Sequence, residues 1–382
     1  MRTSARGTVD PFIVMDVITA AQAAEAAGRR IIHMEIGQPG TPAPQGARDA
    51  LTAALNDRAL GYSVALGLPA LRERIARLYG DWYDVDLDPG RVVVTPGSSG
   101  AFMLAFASLF DAGDRVGIGM PGYPSYRQTL AAMSLEPVLI QTEAAARFQP
   151  QPRDVAAHGL DGLLVASPSN PAGTMLGRDD LAGLMAACDA GGCAFISDEI
   201  YHGLDYEAPS VSALEIGDGA YVINSFSKYF SMTGWRVGWM VVPTDHVRRV
   251  ERIAQHMFIC APHASQVAAL AALDCREELD RNLKTYAANR RLLIDGLPKA
   301  GFERFAPPDG GFYIYADVSH LTDDSHAFAR DLLDHAGVAV TPGLDFDPAR
   351  GHGTMRLSYA ASTADIEVGL ARLTAYMAAR GT

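Results

Sequence analysis

The feature that most constrains this chain is a succession of short apolar segments, each running into a polar cluster and separated from the next by helical sequence. Residues 92–94 are three valines ahead of Gly97-Ser98-Ser99-Gly100. Residues 163–166 lead into Ser167-Pro168-Ser169-Asn170-Pro171, and 194–196 into Ser197-Asp198-Glu199. Residues 221–224 lead into Ser225-Phe226-Ser227-Lys228. Residues 237–242 form a last apolar run, and 115–119 and 138–141 are weaker strands. Helical patterns over residues 99–110 and 179–190 lie between them. Strands that are apolar throughout, rather than alternating, are buried on both faces. The expected class is therefore α/β, with a mostly parallel sheet between layers of helices.

The flanks read differently. Residues 14–27 are an alanine-rich helix stopped by Gly28, residues 31–36 a strand, and residues 37–40 a turn. Leu68, Leu71, Ile75 and Leu78 recur at helical spacing. Beyond a polar helix at 276–297, strands at 311–316 and 354–359 and helices at 325–335 and 363–379 suggest a smaller α+β unit. The expected division is a large domain at 45–280 and a small one built from 1–44 and 281–382. Acidic residues exceed basic ones by 44 to 32, a formal charge of −12 that repels phosphate backbones and anionic lipid. Nucleic acid and membrane are thus not expected as partners. Cys188, Cys193, Cys260 and Cys275 show no metal-site spacing, so no metal is expected. Few cysteines, no signal-like apolar stretch after residues 1–10 and no run of 18 apolar residues lead us to expect a cytoplasmic protein.

In an open parallel sheet, ligands gather beyond the carboxyl ends of the strands. Ser98 and Ser99 stand there at a helix start, where backbone N–H groups suit a phosphate. Asn170, Asp198 and Lys228 end three further strands, and Arg236 lies among apolar residues, where a lone charge needs a partner. Singly, each is explained by a turn, a helix cap or a solvated side chain. Together they are what a pyridoxal phosphate site needs: an amine for the aldehyde, an acid for the pyridine nitrogen, and a cradle with an arginine for the phosphate.

At these residues the chain resembles the class I and II aminotransferases of fold type I, the pyridoxal-phosphate family that includes aspartate aminotransferase. Residues 225–239, SFSKYFSMTGWRVGW, are similar to the family's SFSKxFxMTGWRxGW signature. Gly61-Tyr62 with Gly67, Pro121-Gly122-Tyr123-Pro124-Ser125-Tyr126, Ser169-Asn170-Pro171, Asp198-Glu199-Ile200-Tyr201 and Met355-Arg356-Leu357-Ser358 follow in family order. The resemblance implies a seven-stranded large-domain sheet and a homodimer with shared sites. It makes Lys228 the Schiff-base lysine and proton shuttle, Asp198 the partner of the pyridine nitrogen, and Tyr201 a donor to the ring oxygen beside Asn170. Tyr123 would stack on the ring. Ser98, Ser99, Ser225 and Arg236 would hold the phosphate, helped by Tyr62 from the neighbouring subunit. Arg356 would bind the substrate α-carboxylate, and Gly37 would lie where the N-terminal segment covers the substrate.

The implied reaction moves an amino group between an L-amino acid and a 2-oxo acid by a ping-pong mechanism. Some dicarboxylate-preferring relatives carry a lysine where Ser99 stands here. We therefore expect uncharged donor side chains, with 2-oxoglutarate or another common keto acid as acceptor. A β-lyase would use the same Lys228, Asp198 and Arg356 and is separated by its products, pyruvate and ammonia. A cofactor-binding transcriptional sensor would need a DNA-binding domain, for which the segment before Gly37 is too short.

Overall fold

The computed structural model describes residues 1–57 and 59–381. The chain begins with α1 (Ile13–Ala26), β1 (Ile32–His33), α2 (Gln45–Asp57) and α3 (Pro69–Tyr83). Next come β2 (Val92–Thr95), α4 (Gly97–Leu109), β3 (Arg115–Met120), α5 (Pro124–Ala132), β4 (Glu136–Gln141) and α6 (Pro152–His158). They are followed by β5 (Gly162–Ala166), α7 (Arg178–Gly191), β6 (Ala194–Asp198), β7 (Tyr221–Ser225) and β8 (Gly238–Val241). Then α8 (Val247–Met257), α9 (His263–Ala272) and α10 (Arg276–Gly296) lead to β9 (Arg304–Phe305), β10 (Tyr313–Asp317) and α11 (Ser325–Asp331). The chain closes with β11 (Val338–Ala339), β12 (Thr341–Pro342), β13 (Thr354–Ser358) and α12 (Thr363–Arg380).

Seven strands form one sheet in the order β2-β8-β7-β6-β5-β3-β4. Neighbours pair in parallel except at β8, which runs against both β2 and β7. The apolar runs have a simple cause. Leu163 and Val165 enter one core and Leu164 the other; Phe195 and Ile196 part in the same way, as do Val92 and Val94 from Val93. Side chains still alternate, but both faces are dry. Each such buried side chain contributes about 1.5–3 kcal/mol, so a polar residue on either face would be costly.

The smaller unit carries an antiparallel sheet in the order β12-β13-β10-β9, and β1 pairs in parallel with β11. The strand expected over residues 31–36 is only Ile32–His33. The backbone then leaves the ladder: Met34 N–H still donates to the Ala339 carbonyl at 2.9 Å, but its own carbonyl accepts from Ser358. That departure carries residues 35–38 across to the large sheet. Helices α2, α5, α6, α8 and α9 go beyond the elements expected from the sequence pattern. α5 and α6 start at Pro124 and Pro152, which read as breakers in sequence but are tolerated in a first helical turn. Among the described residues no helix is long and apolar enough to cross a membrane.

Candidate active site

Because β2, β3, β5, β6 and β7 run the same way, their carboxyl ends share one edge of the sheet. The reversal of β8 brings its amino end to that edge as well. A cavity of about 440 Å3 opens there. Ser98 and Ser99 reach it from the first turn of α4, Tyr123 from the turn after β3, Asn170 from the loop after β5, and Asp198 from the end of β6. Lys228 arrives after β7 and Arg236 just before β8. Arg356 and Tyr313 face the same space from β13 and β10 of the smaller unit.

One end of the cavity is built for an anion. Among the described residues no side chain caps the start of α4, so its first N–H groups are open to a ligand. Gly97 has φ +70°, and a methyl group there would overlap the Arg236 guanidinium, which lies against the turn. Arg236 donates to the Thr233 carbonyl at 2.8 Å, and Ser227 Oγ lies 3.5 Å from its Nη1. A helix start, serine hydroxyls and a guanidinium are thus brought together.

At the middle stand an amine and an acid. Lys228 Nζ donates to the Gly37 carbonyl at 2.6 Å. Burial, then the charges of Arg356 and Arg236, pull its pKa down to about 7, with Asp198 opposing. Burial pushes Asp198 up to about 6; a hydrogen bond from the Tyr126 hydroxyl, one from the Ile200 N–H at 3.1 Å and the Lys228 charge restrain the rise. The neighbouring Glu199 points away, held by Ser197, Ser212 and the Ala213 N–H, so only one of the paired acids serves the cavity. The Tyr201 and Tyr313 hydroxyls meet at 2.9 Å.

The other end also offers donors suited to an anion. Arg356 is buried, donates to Asn170 Oδ1 at 3.0 Å, and also donates to the Glu35 carbonyl. Its guanidinium carbon lies 4.3 Å from the Tyr313 ring centre and 4.7 Å from that of Phe346. Among the described residues its Nε has no acceptor. A buried donor left so costs about 1–3 kcal/mol, which an anionic ligand would relieve. Gly37 is required beside it, because a methyl group there would overlap the Tyr313 hydroxyl. Phe12, Val14, Met15 and Ile18 of α1 and its lead-in line the cavity together with Ile36.

The model of the class I and II aminotransferase family matches residues 29–373. The chain belongs to the class I and II aminotransferases. It is 47% identical, over 98% of both chains, to the valine–pyruvate aminotransferase of Mycobacterium tuberculosis. Among solved structures, a protein from Silicibacter pomeroyi is 67% identical over 100% of both chains, with a TM-score of 0.96. The aspartate aminotransferase of Thermus thermophilus with maleate is 28% identical over 98% of this chain and 100% of that one, with a TM-score of 0.92. The expected fold type and an aminotransferase activity are thereby shown.

This aminotransferase brings together Ser98, Ser99, Tyr123, Asn170, Asp198, Tyr201, Lys228, Arg236, Arg356 and Gly37, all on the cavity wall. Ser225 is not on that wall; its Oγ lies 2.9 Å from Ser227 Oγ and accepts from the Ser227 N–H, and Ser227 lines the cavity. Two serines two residues apart look equivalent in sequence, and only the bend after β7 separates them. Tyr62 lies outside the cavity with 82% of its surface exposed. Sequence reasoning misses Tyr126 as the donor to Asp198, although the motif that holds it is plain. It also misses the apolar wall from α1, since nothing local shows where a terminal helix docks.

Proposed function

We propose that this aminotransferase uses pyridoxal phosphate to exchange the amino group of a neutral aliphatic L-amino acid with a 2-oxo monocarboxylic acid. The observation that carries the substrate class is the charge count of the cavity. Lys228, Arg236 and Arg356 are its only cations among the described residues, and each has a task, while α1 supplies an apolar wall. An acidic substrate side chain would need a further cation, and burying it unpaired is costly. The same argument favours an acceptor of the pyruvate type over 2-oxoglutarate. The name of the Mycobacterium tuberculosis relative, valine–pyruvate aminotransferase, supports this choice.

The residues present fit the cofactor. Gly97 leaves Arg236 and the open turn of α4 side by side, suited to a phosphate, with Ser98, Ser99 and Ser227 adding hydroxyls. Lys228 would hold the aldehyde carbon, Asp198 the ring nitrogen and Tyr201 the ring oxygen, with Tyr123 against the ring. When bound, the cofactor supplies an electron sink that makes the substrate Cα–H acidic. Lys228 Nζ, drawn down to about 7, is the group suited to take that proton and return it on the far side of the transfer. Asp198, restrained by Tyr126 and Ile200, keeps a negative charge at the depth of the cavity. Arg356 grips the α-carboxylate, turned by Asn170 and the Glu35 carbonyl and held against two rings. α1 shields the reaction from water. The four free thiols suit a reducing cytoplasm.

The test is kcat/KM for valine, alanine and aspartate with pyruvate and with 2-oxoglutarate. Valine should exceed aspartate by more than about tenfold, roughly 1.4 kcal/mol of discrimination. Aspartate equal to or above valine would overturn the proposed substrate class.

A further inference from the structure

Asp345 is wholly buried, one residue before Phe346, the ring on which Arg356 lies. Its carboxylate does not face the cavity. Oδ1 accepts from the Ile13 N–H at 3.1 Å and Oδ2 from the Val14 N–H at 3.2 Å. These are the first two N–H groups of α1, a helix whose preceding residue, Phe12, offers no side-chain cap. The cap therefore comes from more than 300 residues away along the chain. An acid at a helix start is favoured by the helix dipole, and here it also satisfies two otherwise orphaned donors. Burial holds the Asp345 pKa above the usual carboxylate range, and the two N–H groups and the charges of Arg356 and Arg127 restrain the rise. The Arg127 guanidinium donates to the Asp345 backbone carbonyl at 3.0 Å, tying the loop to α5. One residue later on α5, Gln128 Nε2 and Oε1 bond Asp10 just ahead of α1, at 3.0 and 3.1 Å.

We infer that Asp345 is a positioning residue for substrate specificity: it pins the first turn of α1 over the cavity, in register with the ring that steadies Arg356. The residues so pinned are the ones that face the substrate side chain in the proposed function, namely Phe12, Val14, Met15 and Ile18. A two-residue step, Asp345-Phe346, thus links the wall that measures the side chain to the arginine that grips the carboxylate. The specificity part of this inference rests on the proposed substrate class; the pinning of α1 does not.

The test compares Asp345→Ala, Asp345→Asn and Ile13→Pro in the full-length holoenzyme. Proline is tolerated at the first helical position and removes only one of the two donors, leaving the buried acid intact. In Asp345→Ala the ratio of kcat/KM for valine over alanine should fall about tenfold, the worth of the two methyl groups by which valine is larger. The loss should sit mainly in KM. Asp345→Asn, with one acceptor oxygen left, and Ile13→Pro should fall between this variant and the wild type. Amide hydrogen exchange over residues 12–18, which needs no turnover, should lose protection in the same order. Protection of α1 unchanged in Asp345→Ala overturns the inference whatever the substrate proves to be. So does an equal fall for valine and alanine, which marks a merely structural residue. If Asp345→Ala does not fold, Ile13→Pro decides by the same two readouts. Failure of the substrate class shows separately, as a wild type that does not prefer valine to aspartate.

Discussion

At the scale of one residue, Lys228 shows how surroundings can prepare an ordinary side chain for chemistry. A lysine in water holds its proton to about pH 10.4 and is then a poor nucleophile at neutrality. Here burial and the charges of Arg356 and Arg236 bring the pKa to about 7. The sign follows directly. Below that value the group is an ammonium with no lone pair; above it the free amine can add to an aldehyde. We predict that cofactor-free protein takes up pyridoxal phosphate about tenfold faster at pH 8 than at pH 6, with a plateau from about pH 8 to 10. Stopped-flow absorbance across that range is the measurement. A rate still climbing steeply towards the alkaline end would mean that the amine is not perturbed as described. Lys228→Ala should show no such phase.

At the scale of elements, the site depends on how closely two of them can approach. The start of α4 and the residue ahead of β8 meet at Gly97, where φ is +70° and any Cβ would strike Arg236. Gly97→Ala carries a left-handed backbone cost of about 1–2 kcal/mol and also forces the guanidinium off the turn. We expect the cofactor dissociation constant to rise at least about tenfold, since one displaced charge-assisted contact is worth about 1.5–3 kcal/mol. Equilibrium titration of the cofactor-free variant gives the answer, and an unchanged constant contradicts the cradle. The strand ends are legible in sequence because apolar runs stop where polar chemistry begins. That pattern by itself points to Asn170, Asp198 and Lys228, which end three such runs, whereas Arg236 stands out as a charge among apolar residues. What is illegible depends on docking between distant segments. Tyr126 reaches Asp198 from α5, and the wall from α1 belongs to a helix whose first two N–H groups donate to Asp345, more than 300 residues away along the chain. The helices begun by Pro124 and Pro152 are hidden because the same residue marks both a turn and a first helical turn.

At the scale of the whole molecule, several large apolar side chains stand exposed. Leu55, Tyr62, Val64, Met257 and Ile259 are large and exposed, and His263 Nδ1 lies 2.7 Å from the Gly61 carbonyl, so the segments that carry Tyr62 and Ile259 adjoin. Where such side chains cluster, a partner surface can cover them. The homodimer that the family resemblance implies would cover these side chains and deliver Tyr62 to a neighbouring site. Mixing Tyr62→Phe with Lys228→Ala subunits should then restore some sites with both groups intact, raising activity above the mean of the two parent preparations. A fully active monomer by sedimentation would rule this out. The reversed direction of β8 has a last consequence. Ser225 pairs with Gly238, so the whole path from Lys228 to Arg236 is one loop closed at its base by the sheet. The distance between the two groups depends on the count of residues in that loop as well as on its internal contacts, such as Arg236 to the Thr233 carbonyl and the Ser231 N–H to the Lys228 carbonyl. The loop therefore behaves like a reading frame: a substitution alters one letter, whereas a single insertion or deletion shifts Arg236 away from Lys228 with every other letter still correct.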